Sequence, residues 1–141
     1  MVEMKYKTRT GCPCAYFLEL LGDKWSLLIL RDVIILGKQH YHEFLESEEG
    51  ISTNILADRL AKLEKLKMLK KTRDPNNLRK NIYSPTEKAL DLLPMFVEMF
   101  IWASKYDLCT AVTREHLERF RGDKSGYMAD VRAKFHSTTT R

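Results

Sequence analysis

The chain has 141 residues, 44% of them hydrophobic and 30% charged, with a formal net charge of +5. That is the make-up of a soluble globular chain of one-domain length, able to bury a core and too apolar for intrinsic disorder. No run approaches ~18 apolar residues and MVEMKYKTRTG has no apolar h-region, so neither a membrane span nor a signal peptide is expected. Three cysteines, two of them one residue apart, point to a reducing, cytoplasmic setting rather than a disulfide framework.

Residues 1–11 read as a basic, polar arm. Cys14–Leu21 is predicted as a first short helix, with Pro13 at or near its first position. Gly22 breaks it, and Asp23 can cap the next helix, Lys24–Leu36. Trp25, Leu27, Leu28, Ile29, Leu30, Val33, Ile34 and Ile35 cover nearly the whole circumference of that helix, so it is expected to be buried. Gly37 stops it. His40-Tyr41 is predicted as a short strand pairing with a later ribbon. His42–Glu46 follows as a helix in an acidic stretch of Glu43, Glu46, Glu48 and Glu49.

Gly50–Thr86 organises the rest. Ser52 has the chemistry of an N-cap, and Ile51 and Leu56 occupy the two positions of a hydrophobic staple. Leu56, Leu60 and Leu63 follow at helical spacing as a narrow apolar stripe. Ser52, Thr53, Asn54, Asp58, Arg59, Lys62 and Lys65 lie off it. A ribbon then runs through Met68–Asp74, turns at Asp74-Pro75-Asn76-Asn77 and returns through Arg79–Tyr83. A helix followed by a basic two-stranded ribbon is the plan of a winged helix-turn-helix. Residues 51–88 carry ten Lys/Arg against four Asp/Glu, so all the net positive charge of the chain lies in about a quarter of it. That is the footprint of a phosphate-binding segment. The acidic stretch before it is expected to face away from DNA or toward basic residues.

Ser84-Pro85-Thr86-Glu87 reads as a capping box with Pro at the first helical position. The helix after it is predicted to run to about Tyr106, kinked at Pro94. Leu90, Leu93, Val97, Phe100 and Ile101 make one stripe; Leu92, Phe96, Met99 and Trp102 make a second. Two apolar faces exceed what one small domain buries, so the second is a candidate dimer seam unless the C-terminal tail folds back over it. Thr113–Arg121 and Tyr127–Phe135 show helical spacing and could wrap a partner subunit, and Ser137–Arg141 is expected to fray.

CPCAYFLELLGDKWSLLILRD at 12–32, YHEFLESEEGISTNILADRLAKLE at 41–64 and NIYSPTEKALDLLPMFVEMFIW at 81–102 resemble, in order and spacing, the HxlR-type transcriptional regulators, a winged-helix family related in fold to the MarR regulators. The resemblance covers about residues 12–106. It implies a mainly α fold with a small β-hairpin wing, binding operator DNA as a homodimer. One winged-helix domain would fill residues 1–141, with a DNA-binding core at about 23–86 and dimerisation elements at about 12–22 and 86–136. The chain departs from the family pattern at Lys67, where a Gly usually ends the recognition helix, at Pro85 and at Ala89. His42 falls where the family places a small N-cap residue.

Double-stranded DNA is therefore the expected partner. Ser52, Thr53 and Asn54 are expected to reach base edges from the start of the recognition helix. Arg59 and Lys62 are expected at phosphates, unless Arg59 pairs with an acidic neighbour. Arg73, Arg79 and Lys80 belong to the wing, and they argue against the alternative of a winged-helix module that binds only protein. Cys12-Pro13-Cys14 and His40-Tyr41-His42 are spaced too tightly for a structural zinc site. With no Gly-rich phosphate loop, nucleophile elbow or HExxH, neither catalysis nor a cofactor is expected, and no feature marks an effector pocket. Cys12 is the redox-sensing candidate. Members of the family resembled respond to oxidants through a Cys just before a Pro, and a helix starting at Pro13 would favour the Cys12 thiolate. Packing as a small apolar side chain is the alternative for Cys12.

Overall fold

The computed structural model of the chain describes residues 10–136. Apart from Thr10 and Gly11, the expected basic arm, with its Lys5, Lys7 and Arg9, lies outside the described residues, as does Ser137–Arg141. The elements run α1 (Pro13–Leu21), α2 (Lys24–Ile34), α3 (Tyr41–Leu45), α4 (Thr53–Lys65), β1 (Leu69–Asp74), β2 (Asn77–Pro85), α5 (Glu87–Leu90), α6 (Leu93–Tyr106), α7 (Arg114–Gly122) and α8 (Lys124–His136). Mostly helical, with one antiparallel hairpin, this is a winged helix-turn-helix.

Local chemistry sets the helix starts. Pro13 opens α1 with Cys12 in extended conformation before it. The Asp23 carboxylate accepts the Ser26 amide at 2.9 Å and the Ser26 hydroxyl at 2.6 Å, capping α2. α2 ends at Ile34, two residues before the predicted Leu36. Its Ile29, Leu30, Val33 and Ile34 are buried at the centre of the core, packed on α4, β2 and α5.

The strand expected at His40-Tyr41 does not form. The Glu43 carboxylate takes the amides of Gln39 (3.2 Å) and His40 (3.0 Å), which makes His40 the N-cap of α3 and withdraws those donors from any ladder. One backbone bond to the ribbon remains, from the Tyr83 amide to the Gln39 carbonyl at 2.8 Å. The cap position expected at His42 therefore lies two residues earlier, and His42 is inside the helix.

α4 follows the sequence closely. Ser52 caps it, accepting the Ile55 amide at 3.3 Å, and Ile51 and Leu56 of the staple are both buried. Leu56, Leu60 and Leu63 face the core. At the other end Met68 donates to the Leu63 carbonyl (2.9 Å) and Lys67 to that of Glu64 (3.0 Å), a Schellman close that needs a left-handed residue. That residue is Lys67, at φ +60°, so the family's usual glycine conformation is kept without the glycine.

In the hairpin Leu69 faces Pro85, Lys71 faces Tyr83 and Arg73 faces Asn81, and the register breaks between Arg73 and Asp74. The strand that returns is longer at the tip, and Arg73 Nη1 holds its bulge through the Leu78 carbonyl at 2.9 Å. The stem is fixed by Tyr83, which packs edge-on against Phe44. At the exit Thr86, not Ser84, caps the next helix, accepting the Ala89 amide. Its hydroxyl also donates to the Lys67 carbonyl at 2.6 Å, its amide donates to that of Met68, and Lys88 Nζ donates to that of Leu66.

The long helix expected after Thr86 is two helices. Pro94 offers no amide, and its ring cannot be passed by the carbonyl four residues earlier, so α5 ends at Leu90 and Pro94 sits in the first turn of α6. Phe96, expected on the second stripe, is buried with Leu93 and Val97. The tail folds back on its own chain. Phe120 lies between Phe100 and Tyr127 with ring centroids 5.8 and 4.9 Å away, and Arg132 forks to Glu87 and Asp91 at 2.9 Å each. It leaves Met99, Trp102, Tyr106 and Leu108 exposed. No helix of the described residues is long and apolar enough to cross a membrane.

Candidate nucleic-acid interface

The surface formed by α4 and the ribbon rests on two polar ties from α2. At the start of α2, Asp23 Oδ1 accepts from Arg59 Nε at 2.9 Å and Oδ2 from Lys62 Nζ at 3.1 Å. Burial pushes the Asp23 carboxyl up, but the bonds from Ser26, Arg59 and Lys62 outweigh it and hold it well below the usual carboxylate range. At the far end of α2, the buried Asp32 collects Arg31, Lys38 Nζ (3.2 Å) and Ser47 Oγ (2.7 Å). Arg31 continues to Glu49 at 2.5 Å, just before the chain enters α4. The two ties fix the pitch of α4 on α2 at both ends. Two of the four glutamates of the acidic stretch meet basic side chains, Glu49 at Arg31 in the second tie and Glu43 at His40 in α3, while Glu46 and Glu48 are exposed.

Ser52, Thr53 and Asn54 are exposed at the first turn of α4. The Ser52 oxygen is engaged in its own cap, and the Thr53 carbonyl accepts Tyr41 Oη at 3.0 Å. The outward edge continues through Ala57, Asp58, Ala61 and Lys65, opposite the buried leucines. Arg59 and Lys62 are not on that edge but turned to Asp23. Arg59 also meets Asp58 at 2.5 Å. Arg73, Arg79 and Lys80 are exposed on the ribbon, with Arg73 partly spent on the Leu78 carbonyl. Sequence reasoning left Lys65 and Lys70 out of the site, although both are exposed cations on the same two elements. The signal was available: Lys65 closes the polar edge of the helical repeat, and Lys70 alternates with the buried Leu69.

Cys12 is exposed at the N-cap of α1, and its side chain makes no cap bond. Cys14 and Cys109 are exposed free thiols as well. Cys109 follows the exposed Leu108 just after α6, where its amide donates to Asp107 Oδ1, and no feature of the sequence singles it out.

A helix-turn-helix bearing a basic hairpin, with polar side chains along the outward edge of its second helix, defines a transcriptional regulator of the winged-helix class. The chain belongs to the HxlR family: the family model described as HxlR-like helix-turn-helix matches residues 20–109. It is 36% identical over 98 residues to the HTH-type transcriptional regulator YodB of Bacillus subtilis, covering 69% of this chain and 87% of that protein. Among solved structures it is similar to the reduced form of YodB (TM-score 0.55, 33% identity, 72% of this chain and 98% of that one). It is also similar to the redox regulator HypR in its oxidized form (TM-score 0.61, 26% identity, 68% and 98%).

Proposed function

We propose that this regulator binds an inverted-repeat operator as a homodimer. The observation that carries the proposal is the exposed edge of α4 lying beside a ribbon whose Lys70, Arg73, Arg79 and Lys80 are all exposed. Asn54 and Thr53 meet base edges from the first turn; Ser52, at the cap, orients that turn and reaches the backbone. Arg79 and Lys80 supply phosphate contacts, Arg73 stiffens the wing tip, and Arg59 and Lys62 act chiefly by holding α4 to α2. In this reading residues 23–86 are the DNA-binding core of a single winged-helix domain. Residues 12–22 and 86–136 carry the dimer. The exposed Tyr16, Leu18, Met99, Trp102 and Tyr106 on α1 and α6 support that division. Two-fold symmetry would set the recognition helices roughly 34–36 Å apart.

The test is a fluorescence-anisotropy titration with genomic fragments at several salt concentrations. Removing one wing cation should weaken binding to every sequence alike and lower the salt slope by about 1, and changing Asn54 should alter sequence preference. Absence of any salt-dependent binding would favour a module that binds only protein.

Thiol control at Cys12 belongs to the same reading. An exposed thiol at a helix N-terminus supports it, as does similarity to a regulator described as a redox regulator. Cys12→Ser should keep DNA binding and lose its sensitivity to an added quinone or disulfide oxidant. Equal release of DNA by wild type and variant would reduce Cys12 to a surface residue.

A further inference from the structure

Both ring nitrogens of His40 meet carboxylate oxygens. Nδ1 lies 2.9 Å from Glu43 Oε1 and Nε2 lies 3.0 Å from Asp74 Oδ2. An ionised carboxylate only accepts, and a neutral imidazole has a single N–H, so the ring can satisfy both partners only as imidazolium. Each carboxylate is itself pinned by backbone. Glu43 is held by the amides of Gln39 and His40 at the start of α3, and Asp74 by the Asn76 amide in the wing turn. The ring therefore joins two elements 34 residues apart in sequence. Among the described residues, His40–Asp74 is the ion pair that ties residues 72–81 of the wing to the helices.

We propose that His40 is a positioning residue for the wing: charged, it bolts the wing turn to the first helix of the helix-turn-helix, and on losing its proton it can hold only one of the two carboxylates, so the bridge is broken at one end and the wing loosens. The consequence for DNA rests on the operator-binding proposal above; the bolt itself does not. The groups facing the ring are Glu43 and His42 on α3, the latter stacked on it at 5.6 Å, and Asp74 on the wing, with the charge of Lys80 acting on Asp74. The bonds to Asp74 and Glu43 raise the His40 pKa above its ordinary value and outweigh the cost of burial. The sign follows. A raised folded value means the hold is complete below about 6.5, the ordinary His value, and is lost as pH climbs through the raised one. The carboxylates, both held low, release it only in acid. Taking the pH through the raised His40 value should loosen the wing while α4 stays in place.

The experiment is NMR on the full chain without DNA. The His40 ring is titrated while protection factors of the amides of residues 71–81 are followed. The expected result is a His40 midpoint above 6.5, protons on both ring nitrogens below it, and wing protection falling at the same midpoint. Asp74→Asn should lower the midpoint and loosen the wing at all pH values. His40→Arg, a permanent cation, should keep the wing protected and remove its pH dependence. In anisotropy titrations, wild-type affinity for DNA should fall several-fold across that midpoint while the His40→Arg variant stays flat. A His40 midpoint at or below 6.5, or wing protection indifferent to it, would overturn the proposal. A wing that titrates with His40 in a protein that binds no DNA would support the bolt and sink the operator reading instead.

Discussion

Arg59 of the recognition helix donates to Asp23, the residue that caps α2, at 2.9 Å. The same carboxylate thus starts one helix and anchors another, with Lys62 on its second oxygen. A cation already paired with a partly buried carboxylate has little charge left for a phosphate. Arg59→Ala should therefore change the salt slope of DNA binding far less than Arg79→Ala, for which the expected change is about 1. Equal slopes in the two variants would mean that the Asp23 pair opens on DNA.

Asp23 itself should matter for stability. Asp23→Ala removes a cap and two ion pairs, and should cost about 2 kcal/mol in urea unfolding. Because its carboxyl is held below the usual range, the contribution is present above the ordinary value of about 3.9 and lost as pH falls through the lowered one. The gap between wild type and Asp23→Asn should stay level from neutral pH to about 4 and close only below it.

Lys67 occupies a left-handed position at φ +60°, which costs a side-chain-bearing residue about 1 kcal/mol relative to glycine. Lys67→Gly should raise the urea midpoint by that amount with no change in m. A lower midpoint would show that the Lys67 side chain contributes more than its backbone costs.

Trp102 is 67% exposed on the face of α6 that the tail leaves open. If the chain forms the homodimer proposed above, Trp102→Glu should halve the mass seen by sedimentation at micromolar concentration while leaving the circular dichroism of the chain unchanged. An unchanged mass would move the seam away from α6.

Phe120 is 4% exposed between Phe100 and Tyr127. Phe120→Ala should cost about 3 kcal/mol and make the segment after residue 110 the first to be cut in limited proteolysis. If stability is unchanged, α7 and α8 are carried by the fold without supporting it.

What could be read from the sequence was what neighbours decide. Ser52, Ile51 and Leu56 set the start of α4 within six residues, and Asp23 and Ser26 set that of α2 within four. The family resemblance and the winged helix rest on such segments. The misses involve distant partners or competing donors. A strand is expected at His40 because Glu43, which takes its amide, reads equally well as a surface carboxylate. An acidic partner for Arg59 is among the readings the sequence admits, but nothing near Arg59 or Lys62 marks that partner as Asp23, 36 and 39 residues away. Pro94 signals a disturbance, and only the break after Leu90 shows that it starts a helix and does not bend one. The apolar faces of α6 were visible, but periodicity does not say whether a tail or a second chain covers them, and Phe120 answers for one face.

The carbonyls of Leu66, Lys67 and Met68, where the recognition helix ends, are gathered by Lys88 and Thr86, where the wing has just returned. Entry and exit of the hairpin are thereby stapled together at its base, and everything from Leu69 to Pro85 hangs from a closed ring. Lengthening the tip of such a loop adds only about 0.6 kcal/mol per doubling, and it leaves in place the base that closes on the end of α4. The wing is thus an exchangeable part: a lineage, or an engineer, can graft a longer, shorter or differently charged tip without altering α4, and under the operator-binding proposal that would change the backbone contacts and leave the reading helix as it is.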